Sequence, residues 1–149
     1  MRLATLARLG VALVVCTILL SLARPARAAA PTRMERALLA AVNEARAAFH
    51  LRRVHLGKRL QAGAHVYARR LMQRNLFTHA SLSPGVAETL AWGTAGIMDP
   101  RVIVQMWLDS PPHRAILLWP EARRAGFGIT IGWFRGYPSI RLAVARFSG

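Results

Sequence analysis

Between residues 125 and 147 the chain carries a pattern that few architectures accept. Phe127, Ile129, Ile131 and Trp133 alternate with Gly128, Thr130 and Gly132; after Arg135-Gly136, the residues Ile140, Leu142 and Val144 alternate with Arg141, Ala143 and Ala145. A two-residue period interrupted by a short turn signal reads as a β-hairpin. One side of this hairpin is bulky and the other is built of small residues, which suits helices packed closely on both faces. The periodic segments between the leader and this hairpin are helical. Helices first and strands last point to an α+β chain, arranged as a layered α-β-α sandwich with an antiparallel sheet.

Three helices are expected ahead of the hairpin. Thr32-Arg33-Met34-Glu35 has the form of a capping box, in which the hydroxyl accepts from an early helix N–H and the glutamate reaches back. Met34, Leu38, Ala41/Val42, Ala45 and Phe49 then recur at helical spacing and leave Asn43 and Arg46 off the stripe. A second helix runs from Lys58 to Asn75, with Leu60, Ala64, Tyr67/Ala68 and Leu71 on one side and Arg69, Arg70 and Arg74 on the others. The basic connection before it, with His50 and His55, is expected in solvent, and His65 is a surface or packing residue. Ser83-Pro84-Gly85 marks a turn, and Glu88 is expected in a single helical turn ending at Gly93. Asp99-Pro100 starts the third helix, and Pro111-Pro112 is expected to stop it.

The first 28 residues read as an export signal. Arg2 and Arg8 precede an uncharged, mostly apolar run, and Pro25-Ala26-Arg27-Ala28 offers an Ala-x-Ala cleavage site. The chain is then a leader (1–28), a short linker (29–33) and one domain (34–149), secreted or extracytoplasmic and expected to be a monomer. The alternative is a retained N-terminal membrane anchor, but only 15 uncharged residues separate Arg8 from Arg24, against the ~20 a spanning helix needs. The leader contains Cys16, the single cysteine of the 149 residues. The domain therefore folds without disulfides and has no thiolate ligand.

Four of the 21 basic residues leave with the leader, and the remaining 17 against six acids give a formal charge of +11. Such a field attracts anionic polymers and lipid headgroups. An exported location argues against nucleic acid, so an anionic envelope polymer or lipid is the expected partner. Every basic residue but Lys58 is arginine, and arginine bias also accompanies GC-rich coding, so the charge has a second explanation.

Chemistry is concentrated between Phe77 and Arg114. His79 follows the end of a helix, Glu88 lies in a connection, and His113 follows the Pro-Pro break. An imidazole is a metal ligand and a proton carrier near neutral pH, and a carboxylate orients it or acts as a base. Spacing alone does not bring the three together.

Asn43-x-x-Arg46, Phe77-x-His79, Glu88 before an apolar-Gly turn, Trp107-x-x-Ser110-Pro111-x-His113-Arg114 and Gly126-x-Gly128 occur in this order. Together they resemble the CAP (SCP/PR-1-like) superfamily in its bacterial secreted form, over roughly residues 34 to 147. The resemblance implies that His79, Glu88 and His113 line one open cleft of an α-β-α sandwich, with Ser110 and Arg114 beside them. Asn43 and Arg46 are expected to tie the first helix to neighbouring loops. The chain departs from fuller members of the family: Ser110 stands where a second glutamate occurs, Thr89 replaces the asparagine after the glutamate, and Ile116 lies where asparagine often follows His-Arg.

Three functions remain open. His79 and His113 can offer two nitrogens to a divalent cation such as zinc, with Glu88 as a third ligand or base; the missing acid implies weak binding. Ser110 or Ser81 with His113 and Glu88 can be drawn as a hydrolase, of protease or esterase class, but no Gly-x-Ser-x-Gly elbow or oxyanion loop is present. The third function is a non-enzymatic binding module for an envelope component or small amphipathic ligand, lipid or glycan. Trp92, Trp107, Trp119 and Trp133 with Arg101, Arg114, Arg123 and Arg124 would line its cleft, unless Trp107 and Trp133 are core. Binding without catalysis is the expected role.

Overall fold

The computed structural model describes residues 30–149. The expected leader with Cys16, and the expected cleavage after Ala28, fall outside these residues. No helix among the described residues is long and apolar enough to cross a membrane.

The chain begins with α1 (Arg33–Ala48), one residue earlier than the linker boundary implied, and the capping box is complete. Glu35 N–H donates to Thr32 Oγ1, and Glu35 Oε2 accepts from Thr32 N–H at 2.8 Å. After the short β1 (His55–Leu56) comes α2 (Lys58–Gln73), whose exit passes through Asn75 at a φ of 54°. That left-handed position suits asparagine better than most residues. Next are β2 (Val86–Thr94) and α3 (Pro100–Asp109), the latter capped by Asp99, which accepts from the N–H groups of Arg101 and Val102. A further short helix, α4 (Pro111–Leu117), precedes β3 (Arg124–Phe134) and β4 (Tyr137–Ser148). Arg135 and Gly136 both have positive φ at the hairpin tip, the backbone that matches a tight turn to strand twist.

The sheet order is β1-β3-β4-β2. β4 pairs antiparallel with both β3 and β2, and the two-residue β1 adds a parallel bridge to the start of β3. One face is covered by α2, where Ala64, Tyr67, Ala68 and Leu71 meet Leu90, Leu142 and Val144. The other face carries α1, α3 and α4, where Leu38, Val42, Ile103, Trp107 and Leu117 meet Phe127, Ala143, Ala145 and Phe147. These are the expected three layers. The hairpin does not have one bulky and one small-residue face as expected: pairing sets Phe127 opposite Ala145 and Gly128 opposite Val144, so each face mixes large and small residues. The β3 glycines have a direct cause: a Cβ at Gly126 would lie 2.2 Å from the backbone of Leu60 and Gln61, and one at Gly128 would lie 2.1 Å from the carbonyl oxygen of Ala64. The α2 backbone rests on the β3 backbone, and only glycine leaves room for it.

Asn43 and Arg46 have the expected structural role. Asn43 exchanges two hydrogen bonds with the backbone of Val54. Fully buried Arg46 donates to the carbonyls of Arg52, Leu117 and Trp119 at 2.8–3.0 Å. Burial, followed by the neighbouring Arg123, lowers its pKa.

Three expectations are corrected. Glu88 lies within strand β2, not in a helical turn. Pro111-Pro112 does not merely stop α3; it opens α4, since proline fits the first helical positions where no N–H partner is needed. Trp133 is not core: it and Ile131 are 65% and 55% exposed, because this end of β3 runs past the helices that cover Phe127, and its pairing shifts between Gly132 and Phe134.

Candidate functional site

Three elements deliver the site. The loop after α2 carries His79 and is pinned just ahead of it: Tyr67 Oη donates to the carbonyl of Thr78 at 2.7 Å, and Phe77 packs edge-on against Trp92 with ring centres 6.5 Å apart. Strand β2 supplies Glu88. The first turn of α4, set by the two prolines, supplies His113.

Glu88 is the fixed centre, with its side chain 1% exposed. Its Oε1 accepts from the N–H of Ala80 at 3.0 Å and lies 3.2 Å from His79 Nδ1. Its Oε2 accepts from Arg146 Nε at 2.9 Å. Glu88 and Arg146 are directly opposed across the β2–β4 ladder. Arg146 also lies over the Tyr67 ring, with its guanidinium carbon 5.2 Å from the ring centre. A carboxylate with both oxygens engaged orients His79.

The His79 and His113 rings meet edge to face, with centres 5.6 Å apart. His79 keeps about half its side chain in solvent. Burial, then the proximity of His79, lowers the pKa of His113 and favours its neutral form. The two rings, Glu88 and Ser110 share an open hollow of about 490 Å³ with apolar walls from Leu82, Pro112 and Ile116.

The convergence of His79, Glu88, Ser110 and His113 is therefore present. Arg114 turns away, and its guanidinium stacks over Phe49 at 5.0 Å. Ser81 lines different hollows, alongside α2. The partners of Glu88 are His79, Ala80 and Arg146, with no serine among them. The four tryptophans do not gather into one cleft. Trp107 is fully buried and donates to the carbonyl of Leu90 at 3.1 Å, Trp92 packs against Phe77 and Phe134, Trp119 lies against the core, and Trp133 is in solvent.

As a metal centre the residues are incomplete. Among the described residues no group of three His, Cys, Asp or Glu side chains is placed to hold an ion. Three of the roughly four acceptor sites of Glu88 are already taken, two on Oε1 and one on Oε2.

Sequence reasoning missed two participants. Arg146 is the cross-strand partner of Glu88, visible only once Glu88 is known to be in a strand. The second is a buried cluster behind α2: Glu35 Oε1 lies 2.5 Å from His65 Nε2, and Gln61 Nε2 donates to Glu35 Oε2 at 3.2 Å. β1 pairs only with the first two residues of β3, and this cluster takes over the outer edge beyond it. Gln61 Oε1 accepts from the N–H of Phe127, and Glu35 Oε1 from that of Ile129. Exposed strand edges invite unwanted pairing, and here side chains occupy the edge.

Residues 39–145 match the family model described as CAP, the cysteine-rich secretory protein family. The chain belongs to the CAP family. Solved structures agree on the fold. An outer surface protein from Borrelia burgdorferi aligns over 76% of this chain and 90% of its own, with a TM-score of 0.62 and 21% identity. An extracellular protein containing a SCP domain from Bacillus anthracis aligns over 76% of this chain and 39% of its own, with a TM-score of 0.60 and 19% identity. MpPR-1i covers 74% of this chain and 82% of its own, with a TM-score of 0.54 and 18% identity. At such identities the likeness shows the fold alone. Among curated protein sequences none matches the chain significantly. This CAP domain stands apart from its family's name in one respect: with Cys16 its single cysteine, the described residues contain none.

Proposed function

We propose that this CAP-domain protein is exported and acts as a non-enzymatic binding module, holding a small amphipathic ligand or envelope component in the hollow between His79 and His113. The carrying observation is the state of Glu88. A buried carboxylate engaged by three donors, with about one of its four acceptor sites left, is a fixed scaffold for His79. What remains available is the open side of two imidazoles set among Leu82, Pro112 and Ile116: polar nitrogens for a ligand's head, apolar walls for its body. Export is supported by the secretory family and by the extracellular Bacillus relative.

Native mass spectrometry of the purified protein is the direct test. A co-purifying lipid or glycan is expected, lost in His79→Ala/His113→Ala. A clean protein that turns over ester or peptide substrates, with activity abolished by Ser110→Ala, would replace this reading with the hydrolase.

A second reading rests on the 5.6 Å approach of the two rings, which lets both imidazoles reach one zinc ion. With two nitrogens rather than the three donors of a catalytic site, such binding is weak. Calorimetry should show zinc uptake that falls in either single histidine variant; equal uptake by the double variant would remove this reading.

A further inference from the structure

A second surface, which meets the histidine hollow at His79 and Leu82, carries a run of cations. Two hollows, of about 690 and 790 Å³, lie along the open side of α2 and adjoin at Ser81 and Arg146. One contains Arg70 and Arg74, the other Lys58, Arg59 and Arg124, and Arg146 lines both. Among the described residues, neither is lined by an acidic one. Among the described residues, Arg146 alone of these six forms an ion pair, through Nε. Its terminal nitrogens make no protein hydrogen bond there, yet Glu88 and the Tyr67 ring hold its guanidinium in place. Gly63 of α2 leaves the space: a Cβ there would lie 2.5 Å from Arg146 Nη1.

The span of this basic track identifies what it fits. From Lys58 to Arg74 the helix rises about 24 Å at ~1.5 Å per residue. One anionic headgroup neutralises only the cations it touches, so six spread along such a length match a chain bearing a charge at every repeat. The cations are mostly arginines, whose forked donors suit phosphate oxygens. The geometry points to a linear phosphodiester polymer lying in the track along α2, with Arg146 as its rigid midpoint. Occupancy of the histidine hollow is not required, so either assignment can fail without the other.

The test is fluorescence anisotropy with a labelled oligo(glycerol phosphate) of about ten units, titrated between about 50 and 200 mM salt. Neutralising four to six phosphates gives a log–log salt slope of about −3 to −4, taking about −0.7 per charge for a flexible single chain. Arg70→Gln/Arg74→Gln and Lys58→Gln/Arg59→Gln, all exposed substitutions, are each expected to flatten that slope by about 1.4. Arg101→Gln/Arg135→Gln, equal in charge but outside the track, leaves it unchanged, as does His113→Ala. A single-stranded oligonucleotide of equal phosphate count tests whether the backbone charge alone is read: equal affinity keeps the phosphodiester assignment and removes selectivity for the polyol repeat. The assignment is overturned if the outside pair flattens the slope as much as the track pairs do. It is equally overturned if inorganic phosphate competes as well per phosphate as the polymer. Binding only to phosphatidylglycerol vesicles, with none to the soluble polymer, overturns it as well.

Discussion

Glu88 anchors three neighbours at once, and its replacement tests how much of the site is scaffold. In Glu88→Gln the amide no longer neutralises Arg146, leaving a largely buried guanidinium with a weakened partner. A loss of about 2–3 kcal/mol in denaturant unfolding is expected, along with a disordered His79 loop. His113 gives the pH dependence. Its pKa is lowered in the fold by burial and by His79, so below the ordinary imidazole value the unfolded chain takes up a proton that the folded one resists. Stability from this group is complete above about pH 6.5 and is lost as the pH falls through its lowered folded value. Thermal melts from neutral to mildly acidic pH should show a declining Tm, with a shallower decline in His113→Gln. Of these residues, His79, Glu88 and His113 were legible through their motifs. Arg146 was not, because no local pattern links it to a residue 58 positions away.

At the scale of elements, the clearest signals came from positions where backbone geometry leaves one choice. The Thr32 capping box, the Asp99-Pro100 start and the Arg135-Gly136 turn all appear where expected. Strand β2 was obscured because both its faces are partly or wholly buried from Val86 to Gly93, which erases the alternation that exposes a strand in sequence. The Pro-Pro pair was ambiguous for a related reason: proline ends one helix and begins another, and here Ser110 is the junction of both. The α2–β3 contact can be tested directly. Gly128→Ala drives a methyl into the Ala64 carbonyl and should destabilise the fold by about 3 kcal/mol, at or beyond the upper end of ordinary overpacking. Trp133→Ser at the overhanging end of β3 should change stability by no more than about 0.5 kcal/mol. Equal denaturation midpoints for these two variants would refute the packing described for both ends of the strand.

For the whole molecule, the chain order of helices and hairpin was enough to assign three layers. The distribution of charge was not legible. Seventeen basic residues beyond position 28 could have been spread evenly, and only the folded chain shows a cationic track beside α2. The aromatic cleft expected from four tryptophans dissolves for the same reason: periodicity gives the side of an element, and only the packing of elements gives the neighbours across it.

Main-chain contact between α2 and β3 fixes the seat of that helix without help from its outward side chains. Gly126 and Gly128 hold the register, so the solvent side of α2 is released from any structural duty. Residues there answer to what the surface binds and not to how the domain is built, so its surface chemistry can diverge while its frame stays constant.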